Sequence, residues 1–349
     1  MKHTDSIHFA PDFERAVKHF KAQDDYTTSP LLTLQAPGGI SIRVKDETNR
    51  MGLGAFKALG APYAVARILE TEWAAQAGET LTPERMNDPD VRAYAATRTF
   101  VCASAGNHGM GVAAGAKALG ANARIHLAQT VPASFADRLR AFDAEVVWSG
   151  DVYDESVAAA ITDADSTSAT LLADGTWPGY TEIPKSVMEG YCIIAEEMRE
   201  TFAASGVWPT HVYLQAGVGG LAAAMAHMIR LNWAEQPTLI VVEPEAAACL
   251  KASHLAGAPS RSDGPESNMG RLDCKEPSIV AWHTLERCDV TYQTISEDEA
   301  EAAAQAVTSM GLPTTPSGAA GYGALVKQLS DINPGKDFRP LVIISEGPA

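Results

Sequence analysis

The stretch Lys45-Asp46-Glu47-Thr48-Asn49-Arg50-Met51-Gly52-Leu53-Gly54-Ala55-Phe56-Lys57-Ala58-Leu59-Gly60 decides the fold, because it joins a predicted strand to a long predicted helix. Residues 40–44 alternate as a strand does, and residues 55–77 are helix formers with apolar side chains near helical spacing. Lys57 therefore lies in the first helical turn, where the positive end of the helix dipole disfavours a cation. Either Lys57 belongs to a solvated turn, or its amine is kept for chemistry.

Composition narrows the class of protein before any motif is considered. The 349 residues are 46% hydrophobic and 20% charged, and the net charge is −16. This charge argues against nucleic acid and anionic membrane surfaces as partners. The N-terminus lacks the pattern of a secretory signal, and the five cysteines show no CxxC spacing. We expect a cytoplasmic enzyme without a zinc site.

Strand and helix patterns alternate along most of the chain. A first series has predicted strands at 99–103, 123–128, 145–148 and 170–173, separated by helices near 107–119, 132–142 and 153–164. A second series has strands at 211–215, 239–242, 290–294 and 341–345, with helices at 186–204, 219–233, 246–253, 278–287, 297–310 and 319–329. Alternation of this kind predicts α/β architecture with parallel sheets. Residues 11–21 are predicted as a short helix followed by a loop, 78–90 as a polar connection, and 256–276 as a mobile surface loop.

Two loops follow predicted strands directly, where ligands bind in α/β folds. The first is Ser104-Ala105-Gly106-Asn107-His108-Gly109, and the second is Ala216-Gly217-Val218-Gly219-Gly220-Leu221. Glycines let the backbone approach an anion closely, so either loop could bind a phosphate or a carboxylate. Each could equally be a tight strand-to-helix turn. Neither matches the dinucleotide fingerprint or the GxxxxGK[ST] phosphate loop.

Taken in order, these pieces resemble the fold type II pyridoxal phosphate enzymes, which include threonine and serine dehydratases. Within that group the chain is most similar to diaminopropionate ammonia-lyases, over about residues 30–347. The matching segments are the lysine segment 45–60, Asp174-Gly175-Thr176-Trp177-Pro178-Gly179-Tyr180, Met188-Glu189-Gly190-Tyr191, the glycine loop 215–220, Cys274-Lys275-Glu276-Pro277 and Ser317-Gly318-Ala319.

The resemblance implies the fold, the cofactor and the partners. It implies two open twisted sheets with helices on both faces, a large domain from residues 1–97 and 174–349, and a small mobile domain from 98–173. The cofactor would be pyridoxal 5'-phosphate, the ligand a small amino acid, and the assembly a homodimer.

The resemblance also implies a role for each candidate site residue. Lys57 would bind the cofactor covalently and act as the base for the α-proton, with Phe56 packing by the cofactor ring. Asn107 would bond the phenolic oxygen, and Ser345 would face the pyridine nitrogen. The phosphate would be bound by the backbone of Gly217, Val218, Gly219, Gly220 and Leu221, and the substrate carboxylate by Ser104, Ala105 and Gly106. The implied reaction is α,β-elimination giving a 2-oxo acid and ammonia.

One position departs from the lyase pattern. The lyases carry an aspartate where this chain has Ala105, and in that family the aspartate is taken to be a second base on the cofactor face opposite the lysine. Ala105 therefore predicts preference for L-amino acids and keeps open a dehydratase acting on serine, threonine or hydroxyaspartate. A racemase would need the missing base.

Asp174 is either the group that binds the β-substituent or a loop cap. Cys249 and Cys274 are expected to be free thiols. The alternative outside catalysis is that the protein is a non-catalytic sensor of an amino acid or of the cofactor.

Overall fold

Two sheets organise the chain, as the alternation of strands and helices predicts. The computed structural model describes residues 7–24, 26–331 and 335–348. Its strands are β1 Leu31–Ala36, β2 Ile40–Asp46, β3 Thr99–Ala103, β4 Asn122–Leu127, β5 Glu145–Trp148, β6 Thr170–Leu171, β7 His211–Gln215, β8 Thr238–Pro244, β9 Val290–Ile295 and β10 Pro340–Ile344. Its helices are α1 Phe13–Lys21, α2 Lys57–Ala77, α3 Pro89–Ala95, α4 Asn107–Leu119, α5 Ala133–Arg140, α6 Tyr153–Ser166, α7 Glu182–Ser205, α8 Gly220–Asn232, α9 Cys249–Ala256, α10 Ile279–Glu286, α11 Glu297–Ser309 and α12 Pro316–Asp331.

The order of the strands brings the candidate loops to shared edges. The larger sheet has the order β1-β2-β10-β7-β8-β9, and all of its neighbours are parallel except the β1–β2 pair. The smaller sheet has the order β5-β4-β3-β6 and is wholly parallel. Because parallel strands end at the same edge, the turns after β2, β7 and β10 lie together at one sheet. The turns after β3 and β6 lie together at the other.

The structure differs from the sequence predictions at four places. Residues 31–36 form the edge strand β1 instead of a loop, and 89–95 form the short helix α3. Strand β6 covers only two of the four predicted residues. The segment 257–278 has no regular element, as predicted, but Met269 and Leu272 are buried, so its second half is packed into the protein instead of lying on the surface. Among the described residues, no helix combines the length and apolar character needed to cross a bilayer.

A buried ion cluster holds the turn that leads from β2 to α2. Lys45 and Arg50 both pair with Glu197 of α7, and Arg50 also pairs with Glu47 at 2.7 Å. The side chains of all four are at most 3% exposed. Two cations and two carboxylates balance, which is the condition under which buried charges are tolerated. The cluster thereby attaches the turn before Lys57 to the helix behind it.

Helix α2 is packed so closely on two sides that its neighbours have glycine at the contacts. On one side, a Cβ at Gly111 of α4 would lie 3.0 Å from the carbonyl oxygen of Lys57. On the other side, a Cβ at Gly190 of α7 would overlap the carbonyl oxygen of Leu59, and one at Gly60 would lie 2.5 Å from the Tyr191 ring. At these contacts the backbone lies against another backbone or against an aromatic ring, so the packed helices cannot easily move apart. The first turn of α2, and with it Lys57, is therefore fixed in position.

Replacing Gly190 by alanine should destabilise the fold, because the new methyl group would push against the backbone of α2. We expect Gly190→Ala to lower the free energy of unfolding by about 1–3 kcal/mol, the usual range for overpacking. Urea unfolding followed by circular dichroism measures the change. Gly335→Ala is the matched control, since no described atom would lie within 4 Å of its new methyl carbon. Equal stability of the two variants would contradict the close contact of α2 and α7.

Candidate active site

Lys57 and Asp174 form an ion pair between the two sheets. Lys57 is the first residue of α2, and Asp174 follows the short strand β6 of the smaller sheet. The Lys57 ammonium donates to Oδ2 of Asp174. Their side chains are 22% and 28% exposed, so a ligand can reach both groups. The structure thus brings together the two residues that the sequence nominates as catalytic.

The loop that carries Asp174 is held rigidly at both ends. The Tyr180 hydroxyl donates to the carbonyl oxygen of Leu171 at 2.8 Å and closes the loop onto β6. The Thr176 hydroxyl is 2.7 Å from the hydroxyl of Ser278, next to the start of α10. Both hydroxyl contacts are internal to the protein, so Asp174 projects from a fixed backbone and not from a loose turn.

The ion pair sets the protonation of its two members. Burial lowers the pKa of Lys57, but the Asp174 carboxylate outweighs burial and raises it above its ordinary value. Burial raises the pKa of Asp174, but the Lys57 ammonium outweighs it and holds that pKa below its usual range. Burial lowers the pKa of the neighbouring His108. His108 contacts the carbonyl oxygen of Leu172 through Nε2 at 2.8 Å, so as a neutral ring it donates there and supports the loop.

Two aromatic rings stand beside the Lys57 amine. Its Nζ lies 5.5 Å from the centre of the Phe56 ring and 6.0 Å from that of Tyr191. The two rings meet edge to face, with centres 4.9 Å apart. Burial, more than the nearby charges, raises the pKa of Tyr191 to about 12. The hydroxyl therefore stays protonated at neutral pH and can donate a hydrogen bond.

The end of β10 pairs with the segment that precedes Lys57. The buried Ser345 accepts a hydrogen bond from the backbone N–H of Phe56 through its carbonyl oxygen, at 3.0 Å. The next residue, Glu346, is 5% exposed and accepts hydrogen bonds from the side chains of Asn107 and Thr315. Glu346 therefore holds the amide of Asn107, the first residue of α4, against the end of β10 in the large sheet.

The loop after β3 contains Ser104, Ala105 and Gly106, the three residues predicted to bind the substrate carboxylate. The backbone N–H of Gly106 donates to the hydroxyl of Ser104 at 3.2 Å, which shapes the turn into α4. The carbonyl oxygen of Ala105 accepts from the guanidinium of Arg271 at 3.3 Å. Both Ala105 and Arg271 are partly exposed, so this loop opens towards solvent.

The glycine loop after β7 runs directly into α8. Gly219 has a φ of +102°, which favours glycine, and Gly220 and the buried Leu221 begin the helix. On Gly217 a Cβ would lie 3.0 Å from Sγ of Cys274, so a larger residue has no room there. The first N–H groups of a helix have no partner inside it and attract anions. The carbonyl oxygen of Val218 faces away from the helix, since it accepts from the N–H of Ser278 at 3.0 Å.

This set of groups fits pyridoxal phosphate. The amine of Lys57 is accessible and flanked by rings, and the glycine loop with its helix start suits a phosphate. Among the described residues, no group of three or more His, Cys, Asp or Glu side chains is arranged to hold a metal ion. All five cysteines are free thiols, including Cys249 and Cys274.

Four residues near the site were missed by sequence reasoning as candidates. They are Tyr191, Arg271, Cys274 and Glu346. Tyr191 lies in a quoted family segment, and Glu346 lies two residues after the last strand, in a region that marks ligand contacts in α/β folds. Arg271 lies in an irregular segment without any sequence signal. The roles assigned to Lys57, Asp174 and the other candidate site residues, including residues 217–221 and Ser345, stay predictions.

Two largely parallel sheets, a lysine at the start of the helix that follows β2, and a glycine loop after β7 of the same sheet define a fold type II pyridoxal phosphate enzyme. Comparison with known protein families agrees with this class. The family described as "Pyridoxal-phosphate dependent enzyme" matches residues 22–346 of the chain. The chain belongs to this family.

Three similar proteins narrow the comparison. Diaminopropionate ammonia-lyase of Salmonella typhimurium is 34% identical over 330 residues, which cover 90% of this chain and 81% of that protein. The crystal structure of the Escherichia coli diaminopropionate ammonia lyase in complex with an aminoacrylate-PLP azomethine reaction intermediate superposes with a TM-score of 0.84, at 28% identity, covering 99% of this chain and 91% of that one. The biosynthetic L-threonine dehydratase of Haemophilus influenzae is 34% identical over 160 residues, 46% of this chain and 29% of that protein.

Removing the Asp174 charge should lower the pKa of Lys57. In Asp174→Asn the lowering effect of burial remains while the carboxylate that opposes it is gone. We expect Lys57 of the cofactor-free variant to react with an acylating reagent at lower pH than in the cofactor-free wild type. Peptide mass spectrometry across a pH series measures the profile, with the half-exposed Lys21 as an internal control. An unshifted Lys57 profile would show that Asp174 does not govern the amine.

Proposed function

We propose that this chain eliminates ammonia from 2,3-diaminopropionate or a closely similar amino acid with a β-amino group. With one water molecule, 2,3-diaminopropionate gives pyruvate and two molecules of ammonia. The observation that carries the proposal is the ion pair of Lys57 with Asp174, which puts a base and a carboxylate at one accessible point. The similarity to diaminopropionate ammonia-lyases over 90% of the chain supports the same substrate class.

Each group of the site has a task in this reaction. Pyridoxal phosphate, when bound, supplies the electron sink that makes the α-proton acidic. Lys57 takes that proton and keeps it as an ammonium, because a protonated β-amino group leaves as neutral ammonia and needs no further proton. Asp174, which loses its partner once Lys57 is engaged elsewhere, binds the β-ammonium group of the substrate. The N–H groups of the 104–106 loop at the start of α4 bind the carboxylate.

A second candidate is a hydroxy-amino-acid dehydratase acting on serine, threonine or hydroxyaspartate. Ala105 favours it, because the lyase pattern has a carboxylate there and the dehydratase pattern does not. A hydroxyl leaving group, unlike a β-ammonium, needs a proton to leave as water. Lys57 would supply this proton, and Asp174 would accept a hydrogen bond from the hydroxyl. A non-catalytic sensor would have no use for the accessible Lys57 amine, which argues against that interpretation.

The finer features of the assembly belong to the same proposal. We propose that residues 1–97 and 174–349 form a large domain and that residues 98–173 form a small mobile domain. All four strands of the smaller sheet, β3 to β6, lie within residues 98–173, which supports this division. Five free cysteines suit a reducing cytoplasm. The homodimer rests on the resemblance alone.

Ammonia and 2-oxo acid release from a panel of amino acids tests the reaction. We expect L-2,3-diaminopropionate to be turned over with a higher kcat/KM than L-serine, L-threonine or L-threo-3-hydroxyaspartate. Lys57→Ala should lose at least roughly 10²–10⁴-fold in rate, the usual effect of removing a general base. Lys21→Ala, a surface change, is the control. Preference for a hydroxy amino acid would favour the dehydratase, and no release from any substrate by the yellow holoenzyme would favour the sensor.

The absence of a carboxylate at position 105 should make the enzyme selective for L-substrates. A D-enantiomer bound through the same carboxylate would turn its α-proton towards Ala105, which cannot accept a proton. We expect a ratio of L to D rates on the order of 10² or more, and Ala105→Asp should raise the D rate more than the L rate. Both enantiomers of 2,3-diaminopropionate are assayed, with Ala105→Asn as the uncharged control. Comparable D and L rates in the wild type would refute a single base.

A further inference from the structure

Arg271 presents a cation to the loop that is predicted to bind the substrate carboxylate. It lies in the irregular segment between α9 and α10, and its side chain is 39% exposed. Nη1 donates to the carbonyl oxygen of Ala105 at 3.3 Å, and a Cβ on Gly106 would lie 3.1 Å from the same nitrogen. The guanidinium is therefore a direct neighbour of the 104–106 loop.

The backbone that carries Arg271 is fixed, whereas its side chain is held loosely. The backbone N–H donates to the hydroxyl of Ser317 at 3.1 Å, and the carbonyl oxygen would lie 3.2 Å from a Cβ on Gly217. The segment thus passes the glycine loop before its arginine reaches the other loop. The contact of Nη1 with Ala105 is long for a charged donor, for which about 2.7–2.9 Å is usual. Donors of the guanidinium are thus free to turn to a better acceptor.

The charge of Arg271 is only weakly neutralised by the protein. In the described part of the chain, the carboxylate nearest to it is that of Glu346, with Nε and Oε2 3.8 Å apart. That carboxylate already accepts from Asn107 and Thr315. Arg138 is a second exposed cation at the same small cavity, which is lined in addition by Asn107, Thr315 and Glu346. An arginine with few partners at the mouth of a site is suited to bind a carboxylate with two parallel hydrogen bonds.

We propose that Arg271 is a substrate-binding residue that takes a carboxylate of the amino-acid substrate beside the 104–106 loop. The inference rests on the proposed function in that it needs an amino acid in this site. Arg271 and Asp174 then give the site one positive and one negative contact, which orients a substrate carrying both charges. The carboxylate is either the α-carboxylate, common to all amino acids, or a second one on the side chain.

If Arg271 had only a structural role, its loss would have different effects. Through Glu346 it would position Asn107, the predicted partner of the cofactor's phenolic oxygen. Loss of Arg271 would then weaken cofactor binding or change its absorption spectrum, and leave the affinity for amino acids untouched. Substrate binding predicts the reverse pattern.

Equilibrium binding of unreactive amino acids to the holoenzyme separates these roles and does not depend on turnover. The probes are L-alanine, with one carboxylate, and L-aspartate, with two, each titrated by the change in cofactor absorbance. In Arg271→Gln we expect the Kd to rise roughly 10- to 100-fold, the loss of one charge-assisted hydrogen bond, and Arg271→Lys to recover part of it. Weakening of both probes identifies the α-carboxylate, and weakening of L-aspartate alone identifies a side-chain carboxylate.

The control is Arg261→Gln, the same change in the same segment, at an exposed arginine paired with Glu276. Its Kd values should equal those of the wild type. Unchanged Kd values in Arg271→Gln, or a loss of cofactor affinity without a loss of amino-acid affinity, would overturn the proposal. If no amino acid is turned over while L-alanine still binds through Arg271, the proposed elimination fails and the binding role stands.

Discussion

The contact of α2 with its two neighbours is the constraint on which the site depends. Gly111 and Gly190 let the backbone of α2 lie directly against α4 on one side and α7 on the other, and Gly60 leaves room for the ring of Tyr191. Because close-packed backbones cannot shift without disturbing both partners, the first turn of α2 has one position. The buried cluster of Lys45, Arg50, Glu47 and Glu197 fixes the turn before it. A cation at the positive end of a helix is unfavourable, and this packing keeps Lys57 there.

The ion pair with Asp174 explains how such a lysine is tolerated. The carboxylate offsets both burial and the helix dipole, and it lies on the loop that follows β6 of the smaller sheet, so the pair joins that loop to α2. The same pair keeps the amine protonated before a ligand engages it. Arg271 and Glu346 form a second pair of opposite charges beside the 104–106 loop, with a longer distance between them. The cleft thus carries fixed charges of both signs, as a zwitterionic substrate requires.

Ala105, where the chain departs from the lyase pattern, and Arg271 lie next to each other in the structure. Where the resemblance leads one to expect a carboxylate, this chain has a methyl group, and the carbonyl oxygen of that residue accepts from a guanidinium. The local charge is therefore positive where the lyase pattern would make it negative. This reversal bears on carboxylate binding and on the choice of enantiomer, and it leaves Lys57 and Asp174 untouched.

The sequence by itself determined the α/β class, most strands and helices, and the lysine segment, because periodicity and helix propensity are local properties. It also identified Gly217, Gly219 and Asn107 as candidates, since each lies within a few residues after a strand. It could not reveal β1, a half-buried edge strand whose pairing with β2 gives no alternating pattern of its own. Only the tertiary structure brought Asp174 to Lys57, Glu346 to Asn107 and Arg271 to Ala105, pairs separated by 117, 239 and 166 positions in the chain. Contacts across such separations depend on how two sheets and α2 pack, and no local pattern records that packing.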